Sequence, residues 1–538
     1  MKVDFRRWML GGAAALVLSL GTAAAVDAKT FKWANAGDVS SMDPYYRNET
    51  FLLAFLENIY EPLVRRDQKL GLEPGLAVKW GQTVPTTWFF DLRSGVKFHD
   101  GTPFSADDVV FSLHRASTGG SNMKGYFTSV KTVRKVSDMR VEIDTSVPDP
   151  LLATKLAGIL IMSKGWAEKN NATVAADATK NEENFATRNA MGTGPFVLKD
   201  RRAGEKTILV NYTGWWDKPE HNLTEVIFTP VTNPATRVAA LKAGDIDMMY
   251  EVPPQDTDNL KKDANIKVIE GPETRVVYLG FDQERDELLE SNIKGKNPFK
   301  DRRVREAFFR SIDVEAIKRT VMRGQSFPTA LMVAPGINGH VGELDKRPAM
   351  LKTEEAKKLL ADAGYPNGFE TGMDCPNDRY VNDEKICQAV VAMLARIGIK
   401  VNLLAQTRSK YFTKILRKAD FGPGETSFYM LGWSPAATYD VHNVFESLLQ
   451  TPSKETKKGA FNASGYSNKK LDELADKIEV ETDKAKRDAM ILEATRLYTQ
   501  DYAYIPLHQQ AVIWASRKNI ELHQPADNRF PLRFVTVK

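Results

Sequence analysis

Apolar and polar residues alternate in short runs along this chain, and the period of the runs changes often. Trp88, Phe90 and Leu92 alternate with Phe89 and Asp91, a period of two that predicts a strand. Phe98-His99-Asp100-Gly101 follows as a turn. Ser105 stands three residues before Asp108, so a capped helix is predicted to carry Val109, Val110 and Leu113. Asn233-Pro234 opens another helix by cap and N1 proline, and Gly244 closes it. Thr353 caps a helix through Leu359 and Leu360 that ends at Gly364 and Pro366. Ser467 caps one with Leu471, Leu474 and Ile478 on a single face, and a further helix carries Ile491, Ala494 and Leu497. Two extended apolar stretches, Ile266 to Asp282 and Tyr504 to Trp514, lie far apart in sequence. Such a pair of strands can join two lobes as a hinge. The mixture of periods throughout predicts an α/β protein.

The first residues change the picture by placing the chain in a compartment. Lys2, Arg6 and Arg7 precede an uncharged apolar run from Leu10 to Val26, which ends in small residues at Ala23-Ala24-Ala25. These are the parts of a secretory signal peptide, cleaved near residue 25 or 28. The run has about 17 apolar residues, many of them small, against the roughly 20 that a spanning helix needs. No cysteine near the cleavage point offers a lipid anchor, so the expected location is the periplasm, free of the membrane. Arg6-Arg7 leaves the general and the twin-arginine export routes both open. An oxidising compartment permits a disulfide between Cys375 and Cys387, the only two cysteines, with two buried thiols as the alternative.

Composition excludes more than it assigns. Seventy-four basic residues are nearly balanced by 69 acidic ones, and no basic run is dense enough to suggest nucleic acid. None of the seven histidines stands in H-E-x-x-H, no glycine-rich loop ends in Gly-Lys-Ser/Thr, and no G-x-S-x-G elbow occurs. Gly192-Thr193-Gly194-Pro195 is better read as a tight turn into a strand at Phe196, because Pro195 removes an amide that an anion would need. The pair Asp245 and Asp247 lies in a turn where solvation explains it. No metal, no cofactor and no catalytic residue is expected.

A resemblance then carries the function. Thr87 to Ala116 (TWFFDLRSGVKFHDGTPFSADDVVFSLHRA) resembles the signature region of the family-5 extracellular solute-binding proteins, the peptide and nickel receptors of ABC importers. Matching pieces follow in order. They include SMDP at 41–44, NIYEPL at 58–63, GTGPF at 192–196, the run 231–250, PFKDRRVREAFFRSID at 298–313, AKKLLADAGYPNG at 356–368 and 465–472. The resemblance implies a two-lobed periplasmic binding protein fold, type II and cluster C-like, with an extra small subdomain in the N-terminal lobe. By that analogy residues 1–28 are the signal peptide, and lobe I covers 29–272 plus 509–538 with its subdomain at about 79–190. Lobe II covers 273–508. It further implies a monomer that delivers short peptides, or another small solute, to an inner-membrane permease.

Site residues come from the same resemblance. In its dipeptide-receptor branch an arginine after a strand binds the peptide carboxylate, and Arg379 in CPNDRY (375–380) matches it. An aspartate after a Gly-Trp pair binds the ligand's amino group. Gly432-Trp433 is followed here by SPAATYDVHN (434–443), where Asp440 aligns best and Tyr439 stands beside it. A zwitterion enclosed in a cleft needs an opposite charge at each end, because an unpaired buried charge costs several kcal/mol. Arg379 suits a carboxylate through two parallel hydrogen bonds. Trp433 is read as a wall of the side-chain pocket, and Asp43 as a turn residue beside the cleft. His442 is read as a solvated loop residue, with a nickel or haem ligand as the alternative. Carriers of nickel chelates, haem, glutathione, opines or sugars are the competing class, and an enzyme or chaperone on the same scaffold is a third.

Overall fold

The computed structural model describes residues 29–538 apart from 179, 378, 419–420 and 437, and the side chains of 254, 408 and 409 are also left aside. The export segment read at 1–28 lies outside the described residues.

Local sequence makes most of the elements. Thr87–Leu92 is a strand that buries Trp88, Phe90 and Leu92, and it lies inside a four-stranded antiparallel sheet with 77–84, 140–145 and 130–137. Ser105 caps the helix Ala106–Ser117, and Asp108 accepts a hydrogen bond from the Ser105 amide at 3.0 Å. Asn233 accepts from the Thr236 amide at the head of Pro234–Ala243, and Gly244 ends that helix in left-handed backbone. Two starts fall one residue from expectation. Lys352 takes the cap position and Thr353 is already helical. Asn468, not Ser467, accepts from the amides of Lys470 and Leu471, because the Ser467 hydroxyl is engaged by Thr451 at 2.7 Å.

The two extended stretches become the strands Ile266–Phe281 and Tyr504–Arg517, which pair antiparallel along most of their length. They stand at the centre of one large sheet and carry it from one half of the molecule to the other. On one side, 30–35 runs parallel to 225–230 and 248–249. On the other, 428–433 leads to 369–376 and 399–406, again parallel. The ladder between the crossing strands shifts register between Pro272 and Val276, where Pro272 has no amide to donate.

Each half has its own core. Trp33 packs in the first against Phe51, Phe55, Phe228, Tyr250 and Phe530, so the C-terminal segment returns to the N-terminal half. Phe281, Phe299, Phe308, Phe369 and Phe428 fill the second. A further cluster in the second half gathers Tyr278, Tyr429, Tyr439 and Tyr504, and Leu70 of the first half reaches into it. The fold is thus α/β and two-lobed.

Asp43 does serve a turn, accepting from the Tyr45 amide at 3.0 Å. The side chain is fully buried against the Arg115 guanidinium, 2.8 Å away through Nη1, and Arg115 also packs over the Tyr45 ring.

Candidate functional site

Chain order brings Arg379 to the end of a strand. Phe369–Pro376 stops at Pro376 and the helix Asp383–Ala395 begins beyond it, so Arg379 lies in the connection between the two. Cys375 on the strand and Cys387 on the helix are joined by a disulfide with Cα atoms 6.5 Å apart, which brackets that turn. Asp383 accepts from the amides of Arg379 at 2.9 Å and Tyr380 at 3.0 Å. The half-buried Arg379 guanidinium lies 4.9 Å from the centre of the Tyr380 ring.

Tyr380 links this turn to the next segment. Its hydroxyl accepts from the Gly432 amide at 2.9 Å and faces the Gly432 carbonyl at 3.3 Å. A side chain at Gly432 would put its Cβ 2.7 Å from the Tyr380 ring, so glycine is required for the ring to lie here. Trp433 follows. Its indole N–H donates to Asn443 Oδ1 at 3.0 Å, and its ring packs against Phe461 at 5.0 Å. Phe461 is 41% exposed, a large apolar surface left open beside the indole.

Asp440 stands elsewhere in the scheme. It is 0% exposed, and Arg487 grips both carboxylate oxygens at 2.8 and 2.9 Å. Asn338 Nδ2 donates to one oxygen at 2.6 Å and the His442 amide to the other at 2.8 Å. The carboxylate is therefore engaged inside lobe II by Arg487, Asn338 and the His442 amide. His442 itself is buried and not solvated, because the short helix it opens packs into the lobe II core through Val444 and Phe445. Tyr439 is likewise engaged. Its hydroxyl donates to Asp527 Oδ2 at 2.8 Å, and the Arg66 guanidinium lies 3.7 Å above its ring. Asp527 belongs to the returning C-terminal segment, so Tyr439 joins the two halves. Burial holds the Asp527 carboxyl above the usual carboxylate range. Tyr439, Glu251 and Asn528 all have left-handed backbone, with φ of 52°, 57° and 59°, and Asn528 Nδ2 faces Glu251 at 3.5 Å. Backbone of this kind in non-glycine residues concentrates where a fold holds a functional geometry.

A cavity of about 1150 Å³, counting its open mouth, lies between the lobes. One wall is Asn48, Asn122, Tyr126, Ser129, Asp149 and Lys155 from the first half; the other is Thr438, His442, Asn443, Glu446 and Glu479 from the second. Asn443 on this wall accepts from the Trp433 indole, and Gly432 beside that indole is hydrogen-bonded to Tyr380 of the Arg379 turn. A second cavity of about 780 Å³ lies among 57–70 and 523–534. Its Arg65, Arg529 and Arg533 are tied to Glu73, Asp217 and Glu57, so those charges are already answered. Among the described residues no group of three or more histidine, cysteine, aspartate or glutamate side chains is placed to hold a metal ion.

Sequence reasoning missed Phe461, Glu446, Asp527 and Arg66. Nothing local marks them, because the first two face Trp433 and the cavity only after the lobe II loops fold back, and the last two meet Tyr439 across the lobes.

A two-lobed α/β fold with a cavity walled by both lobes defines the class of binding proteins that enclose a solute by closure. The chain belongs to the bacterial extracellular solute-binding proteins, family 5, whose model matches residues 71–456. These are the solute-binding components of ABC importers. The chain is 26% identical over 523 residues to the glutathione-binding protein GsiB of Salmonella typhi, covering 96% of this chain and 95% of that one. Its fold matches HbpA2 from Haemophilus parasuis with a TM-score of 0.80 at 23% identity, over 95% of this chain and all of that one. It also matches DppA from Helicobacter pylori in complex with the peptide STSA, with a TM-score of 0.72 at 24% identity, over 95% and 98% of the two chains. Among the described residues no helix is long and apolar enough to cross a membrane.

Proposed function

We propose that this protein binds short peptides between its lobes in the periplasm and delivers them, as a monomer, to an inner-membrane ABC permease. In this reading lobe I is 29–272 plus 509–538, lobe II is 273–508, the subdomain is about 79–190, and 1–28 is removed on export. The chain acts as a carrier, with no chemistry performed on the ligand. One observation carries the reading: a cavity is walled by both lobes, and its Asn443 is hydrogen-bonded to Trp433, whose neighbour Gly432 is bonded to Tyr380 of the turn that carries Arg379. Arg379 holds the peptide carboxylate, and Trp433 with Phe461 forms an apolar wall for a side chain. Gly432 lets Tyr380 support the arginine, while Asp440 and Tyr439 shape the loop and the lobe contact without touching ligand.

The test is native mass spectrometry on protein purified gently from periplasm, followed by denaturation to release what it holds. A ladder of di- to pentapeptide masses supports the proposal, and a single non-peptide mass overturns it while leaving the carrier role. Arg379→Ala should weaken peptide binding by about 2–5 kcal/mol, much of it from the stranded carboxylate. Glutathione is a second reading, favoured by the full-length similarity to a glutathione-binding protein. It predicts one released mass, that of glutathione.

A further inference from the structure

The cavity between the lobes has one wall whose charges do not balance. Glu446 and Glu479 both line it from lobe II. Glu479 is shared with Lys458, 3.1 Å away, which also serves Asp476 at 2.7 Å. The Glu446 carboxylate is half-buried and has no hydrogen bond or ion pair among the described residues, although its carbonyl accepts from Gly459. Opposite, Asp149 is closed by Lys155 at 2.7 Å and by Ser129. Asp440 is closed by Arg487. The remaining charge on this wall is therefore negative.

A second observation points to a ligand. His442 lines the same cavity, is 5% exposed, and its Nε2 is buried with no hydrogen-bond partner among the described residues. A buried polar nitrogen left unpaired costs free energy comparable to a lost hydrogen bond, so such atoms in native proteins are satisfied by something. Burial holds the ring below its ordinary pKa and therefore neutral at pH 7, and a neutral imidazole can accept a hydrogen bond. A donor with positive charge satisfies the imidazole nitrogen and Glu446 together.

Resting on the solute-binding reading above, the structure assigns Glu446, Glu479 and His442 as a subsite for a cationic group of the ligand, an ammonium or a guanidinium. The group comes either from a peptide's basic side chain or from its α-amino end. In the second case this wall takes the role for which the enclosed Asp440 is not available.

The test is calorimetric titration of the mature protein and of Glu446→Gln, whose melting temperature is measured alongside. The probes are Ala-Arg, Ala-citrulline, N-acetyl-Ala-Arg and agmatine. The expected result is that Ala-Arg loses at least tenfold in affinity on conversion to one of its two neutralised forms, and that Glu446→Gln abolishes this difference. Loss with citrulline places the side chain in the subsite, and loss on acetylation places the α-ammonium there. Equal affinity for all three peptides, or a preference kept in a folded Glu446→Gln, overturns the assignment. If no peptide binds but agmatine does, and Glu446→Gln weakens it, the peptide reading fails and the subsite stands. If agmatine fails as well, both fall.

Discussion

Tyr439→Phe isolates the contact between the lobes. The Tyr439 hydroxyl and Asp527 Oδ2 are 2.8 Å apart and both residues are buried. A hydrogen bond to a charged group contributes about 1.5–3 kcal/mol. Asp527 keeps the Arg529 amide at 3.1 Å after the substitution, so its carboxylate is not left bare. A loss of about 2 kcal/mol is the reasoned value within that range. Phenylalanine retains the ring under Arg66, so the cation–π contact at 3.7 Å survives. Because the bond joins one lobe to the other, its loss is expected to weigh on the form in which the lobes meet. Ligand affinity should therefore fall by about 30-fold, since about 1.4 kcal/mol is a factor of ten. The denaturant midpoint should move little. Titration calorimetry on a bound peptide reads the affinity, and fluorescence transfer between dyes on the two lobes reads closure. Tyr439→Ala removes the ring as well and should weaken binding further. Unchanged affinity and closure in both variants would refute the reasoning, because the contact would then stabilise open and closed forms equally.

Three further outcomes follow from the same geometry. Asp440→Asn leaves the buried Arg487 charge without its partner and should cost about 3–5 kcal/mol in chemical denaturation, with ligand affinity affected only through movement of the loop. Gly432→Ala forces the Tyr380 ring aside and should weaken carboxylate-bearing ligands in titration while the melting temperature changes modestly. Burial lowers His508 to a pKa of about 4. Its unfolded value is about 6.5, so the unfolded chain binds the extra proton between those values and stability falls as pH falls through that window. His508→Gln should therefore flatten the stability slope there by about 1.4 kcal/mol per pH unit, read from urea midpoints at about pH 4.5 and 6.5.

What the sequence determined by itself is what short-range chemistry decides. The capping box at Ser105 and Asp108, the proline start and glycine stop around Pro234 and Gly244, and the alternation at Trp88, Phe90 and Leu92 need only neighbouring residues. The crossing strands were legible for the same reason: their apolar residues cluster in extended runs, and Gly271-Pro272 excludes a helix in the first of them. Arg379 was read from the family resemblance as an arginine after a strand, and it does follow the strand that ends at Pro376. Asp440 shows the limit. Its distance from the Gly-Trp pair suggested a ligand partner, but Arg487 on a helix 47 residues later claims the carboxylate, and no local pattern records that encounter. Ser467 lost its cap to Asn468 through a contact with Thr451, again a partner distant in sequence. Which charges are already paired, and so which remain to meet a ligand, depends on distances between segments that only packing sets. Tertiary structure therefore decided which charges are paired, because a buried charge is defined by its nearest opposite charge in space and not by its neighbours along the chain.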